Sequence, residues 1–140
     1  ELSPKRKSPL TGNAYRAFPE LYRIKSYLAN ERLRFIFPLV DMEEYRLLNG
    51  WSKDRKKGSH RYDRIPIGLF DEVRIETRAD YLQFLPDGLP SPFTSGDFAK
   101  TAKIPVKTAR NTLHILTCLD IIKITGKRGN AYLYQRSIPL

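Results

Sequence analysis

Pro105, with Ile104 before it, constrains the last third of this chain more than any other pair of residues. The proline ring removes an amide donor and keeps the residue before it out of helical geometry. A helical pattern lies on either side. Upstream, Thr94 or Ser95 can cap a helix that has Asp97 in its first turn and runs through Phe98-Ala99-Lys100-Thr101-Ala102. A hydroxyl there satisfies orphan amides, and an early carboxylate suits the positive end of the helix dipole. Downstream, Pro105 pre-sets the first turn of a second helix, from Val106 to about Leu119. The spacing predicts two short helices joined by a tight break.

In the second helix Val106, Ala109, Leu113, Leu116 and Leu119 recur at steps of three and four, which predicts one buried stripe. Lys107, Thr108, Arg110, Asn111 and His114 fall largely on the other side and carry donors long enough to reach phosphates and base edges. Small side chains at Ala102 and Ala109 allow the helices to cross closely. The β-branched run Ile121-Ile122-Lys123-Ile124-Thr125 follows, then Gly126-Lys127-Arg128-Gly129-Asn130 and the alternation Ala131-Tyr132-Leu133-Tyr134. That order predicts a hairpin whose turn carries Lys127 and Arg128.

From Thr77 to Arg136 these residues resemble the winged helix-turn-helix DNA-binding superfamily. The segment's opening helix is expected over Thr77-Arg78-Ala79-Asp80-Tyr81-Leu82-Gln83-Phe84-Leu85, with Thr77 and Asp80 spaced as a capping box and Pro86 to Pro90 breaking it. The resemblance implies three helices packed around Leu82, Leu85, Phe98, Leu113 and Leu116, a recognition helix from Val106 and a wing from Ile121. It implies that Lys107, Thr108, Arg110, Asn111 and His114 enter or flank the major groove of double-stranded DNA. Lys127, Arg128 and Asn130 would hold the backbone through the wing, with Lys100 and Lys103 near phosphates at the turn. Helix-turn-helix arrangements also serve as protein-interaction modules, so a winged-helix scaffold meeting an acidic partner stands as the alternative.

Charge is unevenly distributed. Of the net +10, residues 97–140 hold 8 Lys and Arg against 2 Asp and Glu, residues 1–30 hold 6 against 2, and residues 31–96 are balanced at 11 each. A phosphate backbone attracts the basic segments by counterion release, although an acidic protein or anionic lipid would be attracted too. No uncharged apolar run approaches the ~20 residues of a membrane helix, and no signal-peptide core is present. The single Cys118 excludes an intrachain disulfide and suits a reducing compartment, which points to the cytoplasm or nucleoid, or the nucleus in a eukaryote. Within the second helix it is expected to be a buried structural thiol.

At 140 residues and 41% hydrophobic, the chain can bury one good core or two small ones. Residues 1–17 read as a basic, proline-bracketed tail, either a groove-tracking arm or a linker. Residues 18–76 read as a helix plus a β-hairpin docked on the last domain, and residues 77–140 as the winged helix; the fold class is α+β. The helix is expected over Phe18–Leu28, with Pro19 in its first turn and Leu21, Ile24, Tyr27 and Leu28 on one face. Leu33–Val40 is a strand that Pro38 pushes towards an edge, and Met42–Leu48 either extends it or forms a short helix. A second strand is expected over Asp63–Ile75. The loop between carries Trp51, Lys53, Arg55, Lys56, Lys57, His60, Arg61, Tyr62 and Arg64. Cations interleaved with aromatics make it either a secondary nucleic-acid contact or a solvated tip.

Catalysis lacks its players. His60 and His114 are the only imidazoles, and no Cys or His cluster has metal-ligand spacing. Gly126-Lys127 lies in the expected wing rather than in a phosphate loop. Asp41, Glu43 and Glu44 with Arg46 or Lys53 could be drawn as a nuclease centre, but they read as a charged strand edge. The expectation is a non-enzymatic DNA-binding domain with no metal or cofactor. Its opening at Glu1 suggests part of a larger parent chain, and a homodimer is equally open.

Overall fold

The computed structural model describes residues 12–47 and 60–137, together with Pro4 and Lys7. These form an α+β fold with two small antiparallel sheets of two strands each. The elements in chain order are α1 (Phe18–Arg23), β1 (Phe35–Leu47), β2 (His60–Ile75), α2 (Ser95–Ala102), α3 (Val106–Cys118), β3 (Ile122–Arg128) and β4 (Ala131–Arg136). Short 3-10 segments cover Ala14–Ala17, Lys25–Tyr27 and Arg78–Phe84. No helix among the described residues is long and apolar enough to cross a membrane.

The chain divides into two compact units, and their limits differ from the expected 17/18 and 76/77 boundaries. The body takes the described residues of Asn13–Phe37 and Val73–Leu140; the ribbon takes those of Glu1–Gly12 and Pro38–Glu72. The body begins ahead of Phe18 because Ala14 and Tyr15 already pack on its core. The Asn13 side chain accepts from the Tyr15 amide, and the Tyr15 hydroxyl donates to the Phe84 carbonyl at 2.8 Å.

All the buried residues of the core belong to the body. Phe18 is fully buried and meets Phe84 edge-on at 4.8 Å, while α1 packs along α3. The helix expected over Phe18–Leu28 ends at Arg23, because Ile24 takes φ −114 and ψ 21. That break changes the period, so Leu21 and Leu28 are buried while Ile24 and Tyr27 face solvent.

In place of the helix expected over Thr77–Leu85 there is a 3-10 segment over Arg78–Phe84. Three residues per turn place Tyr81 and Phe84 inward and leave Leu82 half-buried, whereas a 3.6-residue period puts Leu82 in the core. Leu85 is buried as expected and extended, as the residue before a proline prefers. The Asp80 carboxylate accepts from the amides of Glu76 and Thr77, which hold its pKa below the usual carboxylate range.

The capping of α2 is reciprocal. Thr94 Oγ1 accepts from the Asp97 amide at 3.1 Å, and Asp97 Oδ2 accepts from the Thr94 amide at 3.0 Å. Both α2 and α3 end by one device. Lys103 and Asp120 each take φ 58, and the following Ile104 and Ile121 donate back to Ala99 and Leu116 and bury their side chains. The two-helix break is therefore made by Lys103 turning left-handed as well as by Pro105.

Along α3 the buried set is Ala109, Thr112, Leu113, Ile115 and Leu116. This stripe is wider than expected, since α1 covers a second flank, and Val106 lies outside it at 42% exposed. Thr112 satisfies its hydroxyl on the Thr108 carbonyl. Cys118, expected to be buried, is exposed, four residues beyond His114 on the outer face.

In the last sheet, Gly126 sits at an irregularity after Ile124 rather than in the turn. The turn proper is Gly129-Asn130 between the paired Arg128 and Ala131, with Gly129 at φ 61, the geometry a two-residue hairpin needs at its first position. Phe93 adds an antiparallel bridge to Tyr134. In the ribbon, β1 runs through Leu47, so Met42–Leu47 extends the strand instead of turning helical. β2 begins at His60, three residues ahead of expectation.

Candidate nucleic-acid interface

The outward flank of α3 presents Lys107, Arg110 and His114 exposed, with Thr108 and Asn111 half-buried between them. Lys107, Arg110, Asn111 and His114 follow at steps of three, one and three, so one helical face carries them. α3 opens at Pro105 without a side-chain cap. On α2, Lys100 and Lys103 are exposed; on the β3–β4 hairpin so are Lys127, Arg128 and Asn130.

The α3 helix packs beside β3 of the hairpin. Burial raises the Tyr134 hydroxyl pKa, Tyr132 adds to the rise, and the Arg110 guanidinium opposes it. Lys127 and Tyr132 are direct cross-strand partners, and the ammonium lies 4.9 Å from the ring centroid. Lys127 and Tyr132 thus form an exposed cation–ring pair, whereas Tyr134 is half-buried and stacks on Phe93. Tyr132 is an addition to the expected site residues. Its signal in the sequence, the alternation of residues 131–134, predicts a strand and says nothing of what an exposed ring meets.

Two expected contacts are partly engaged within the body. His114 Nε2 lies 3.3 Å from Lys25 Nζ, and the Tyr22 ring is 5.0 Å from the imidazole. Lys25 also sits 4.3 Å above the Tyr22 ring. At the hairpin end, Arg128 Nη1 lies 4.0 Å from Asp97 Oδ2, a long pair between side chains 65% and 33% exposed, which contributes little in water. Both residues stay accessible; at Arg128 the Asp97 carboxylate competes with an incoming phosphate, whereas the Lys25 ammonium beside His114 adds to the attraction.

The secondary set is not brought to this surface by anything described. Trp51, Lys53, Arg55, Lys56 and Lys57 lie outside the described residues, and of Arg61 only the backbone, in β2, is described. Arg64, counted with that loop, is inside β2 and pairs with Glu44 at 2.7 Å. Among the described residues, no group of three or more His, Cys, Asp or Glu is arranged to hold a metal ion.

A protein family described as a domain of unknown function, DUF8091, matches residues 1–76, more than half of the 140. The chain belongs to that family. No curated protein and no solved structure matches it. The DUF8091 segment takes in α1, β1 and β2 and ends one residue before Thr77, so all ten expected interface residues, Lys100 to Asn130, follow it, as does Tyr132. Yet α1, from within the segment, packs on α3 and supplies the Tyr22 and Lys25 that hold His114. The DUF8091 segment and the cationic surface therefore share one hydrophobic core.

Proposed function

We propose that the body is a winged helix that binds duplex DNA without catalysing a reaction on it. α2 and α3 form the helix-turn-helix, β3 and β4 the wing, and Phe93 stands in for the short strand that completes the wing's sheet. The observation carrying this reading is the exposed Lys107 and Arg110 on the outer flank of α3, with the exposed Lys127–Tyr132 pair on the hairpin that packs beside it. The general geometry of such contacts supports it, since a helix fits the major groove and a cation on an adjacent hairpin can meet the flanking phosphates. Arg110 and Asn111 read base edges in this arrangement. Lys107, Lys127, Arg128, Lys100 and Lys103 neutralise phosphates, and Tyr132 packs its ring against the sugar-phosphate backbone.

The test is a mobility-shift titration with random duplex DNA at several salt concentrations. Binding is expected at low salt and is expected to fall linearly on a log–log plot as salt rises. Lys127→Ala should weaken all duplexes alike and lower the slope by about 1, whereas Arg110→Ala should cost about 1–3 kcal/mol on a preferred duplex and relax its preference. If both variants bind every duplex as tightly as the parent, the surface is not a DNA interface. An acidic protein then becomes the partner to pursue.

A further inference from the structure

Lys25 differs from the other cations of the body in being held in place without a counterion. It lies in the 3-10 segment that follows α1, and its ammonium is 3.3 Å from His114 Nε2 and 4.3 Å above the Tyr22 ring. An ammonium only donates, so the imidazole nitrogen accepts. The Tyr22 ring in turn lies 5.0 Å from the imidazole. Tyr22, Lys25 and His114 are all exposed. Among the described residues no carboxylate pairs with Lys25, and the ion pair of α1 joins Glu20 to Arg23.

A free lysine side chain carries about 2 kcal/mol of rotamer entropy, much of which it loses on gripping a ligand. Here one hydrogen bond and one cation–ring contact order the chain before any ligand arrives. The ammonium has three donors, and His114 and the Tyr22 ring engage two at most, so a donor remains for an anion. The location says which anion. His114 follows Arg110 by about one helical turn and Lys107 by about two on the outward flank of α3, and Lys25 extends that row sideways from α1. A duplex carries one charge per ~1.7 Å of its axis, so a cation placed beside a row that meets DNA reaches a further phosphate.

We infer that Lys25 is a phosphate contact of the DNA surface, with His114 and Tyr22 as the residues that position its ammonium. The inference rests on the DNA reading of α3 and the hairpin, and it carries that surface onto the DUF8091 segment. Lys25 supplies the charge, His114 fixes the direction of the ammonium, and the Tyr22 ring supports it from below. The segment matched by the family is then part of the binding surface as well as of the core beneath it.

The test is the duplex titration across salt concentrations, on the whole chain, with the near-ultraviolet spectrum as a control for the fold. Lys25→Gln is expected to weaken binding roughly threefold to tenfold at low salt and to lower the log–log slope by about 1, while Lys25→Arg keeps the slope of the parent. His114→Ala leaves the Lys25 charge in place but loosens it, so affinity should fall with the slope unchanged. The double variant Lys25→Gln with His114→Ala should lose less than the sum of the single losses, because His114 acts through Lys25. If Lys127→Ala lowers the slope but Lys25→Gln does not, or if the two single losses add, the inference is overturned and the DNA reading stands. A parent chain that binds no duplex overturns both.

Discussion

Body and ribbon draw on similar stocks of large apolar side chains and use them in opposite ways. In the body, α1, α2, α3 and the 3-10 segment surround one core, and Phe18, Phe98, Leu113, Ile115, Leu116, Ile121 and Ile122 lose essentially all contact with solvent. Its surface is left to cations: across 13–37 and 73–140 there are 15 Lys and Arg against 7 Asp and Glu, a net +8. The ribbon has no second layer of its own among the described residues. It keeps Ile67, Leu69 and Phe70 more than half exposed and carries no net charge over residues 38–72. Burial needs layers, and two strands supply only one. The proposed DNA contact draws on the charged surface that this closed core leaves outside.

Phe18→Ala should separate the two units most clearly, because it lies far from α3 in sequence but at the centre of the body. It should lose about 3–5 kcal/mol in denaturant unfolding, and Leu116→Ala about 2–5 kcal/mol. By contrast, Phe70→Ala in the ribbon should change the body's unfolding free energy by no more than ~0.5 kcal/mol. A large loss there would mean that the two units unfold together.

Smaller effects report on how the body is closed, where the ribbon has no counterpart. Thr94→Ala removes the acceptor of the α2 cap and should cost about 1 kcal/mol, with Asp97 no longer returned by a reciprocal bond. Asp120→Gly should stabilise by about 0.5–1 kcal/mol, since glycine takes the left-handed φ of 58 without a Cβ penalty. Lys103→Gly should do the same for stability and also remove a cation from the proposed DNA surface, so only the second variant should alter the salt slope. Asp80 gives the smallest change. The depressed pKa of its carboxyl means stability present above the ordinary carboxylate range and lost as pH falls through the folded pKa. Asp80→Asn should therefore be slightly less stable than the parent at pH 7, and the two thermal-unfolding curves should converge at the lowest pH.

Much of the body is legible where local chemistry acts alone. Thr94, Asp97 and Pro105 mark the ends of α2 and α3 through capping and a missing amide, and those boundaries hold to within a residue. The last turn is shorter than the expected Gly126–Asn130: only Gly129-Asn130 makes it, and Lys127 and Arg128, expected in the turn, are paired in β3. Legibility fails where a partner element sets the answer. Val106 fits an apolar stripe by spacing, but α1 draws Thr112 and Ile115 into the core and leaves Val106 outside. Cys118 suffers the same reversal. Leu82 fails for a different reason, because the choice between 3.0 and 3.6 residues per turn decides whether residue 81 or residue 82 faces inward.

The candidate site divides in the same way. The order of residues suffices for the cationic flank of α3 and for a two-strand hairpin bearing Lys127, since helix period and turn chemistry are properties of neighbours in the chain. Folding in three dimensions was needed to set the hairpin beside α3 and to close the body with the Phe18 helix, where Lys25 and His114 meet across 89 positions. Contacts of that range depend on which faces the core buries, and no local window of residues contains that information.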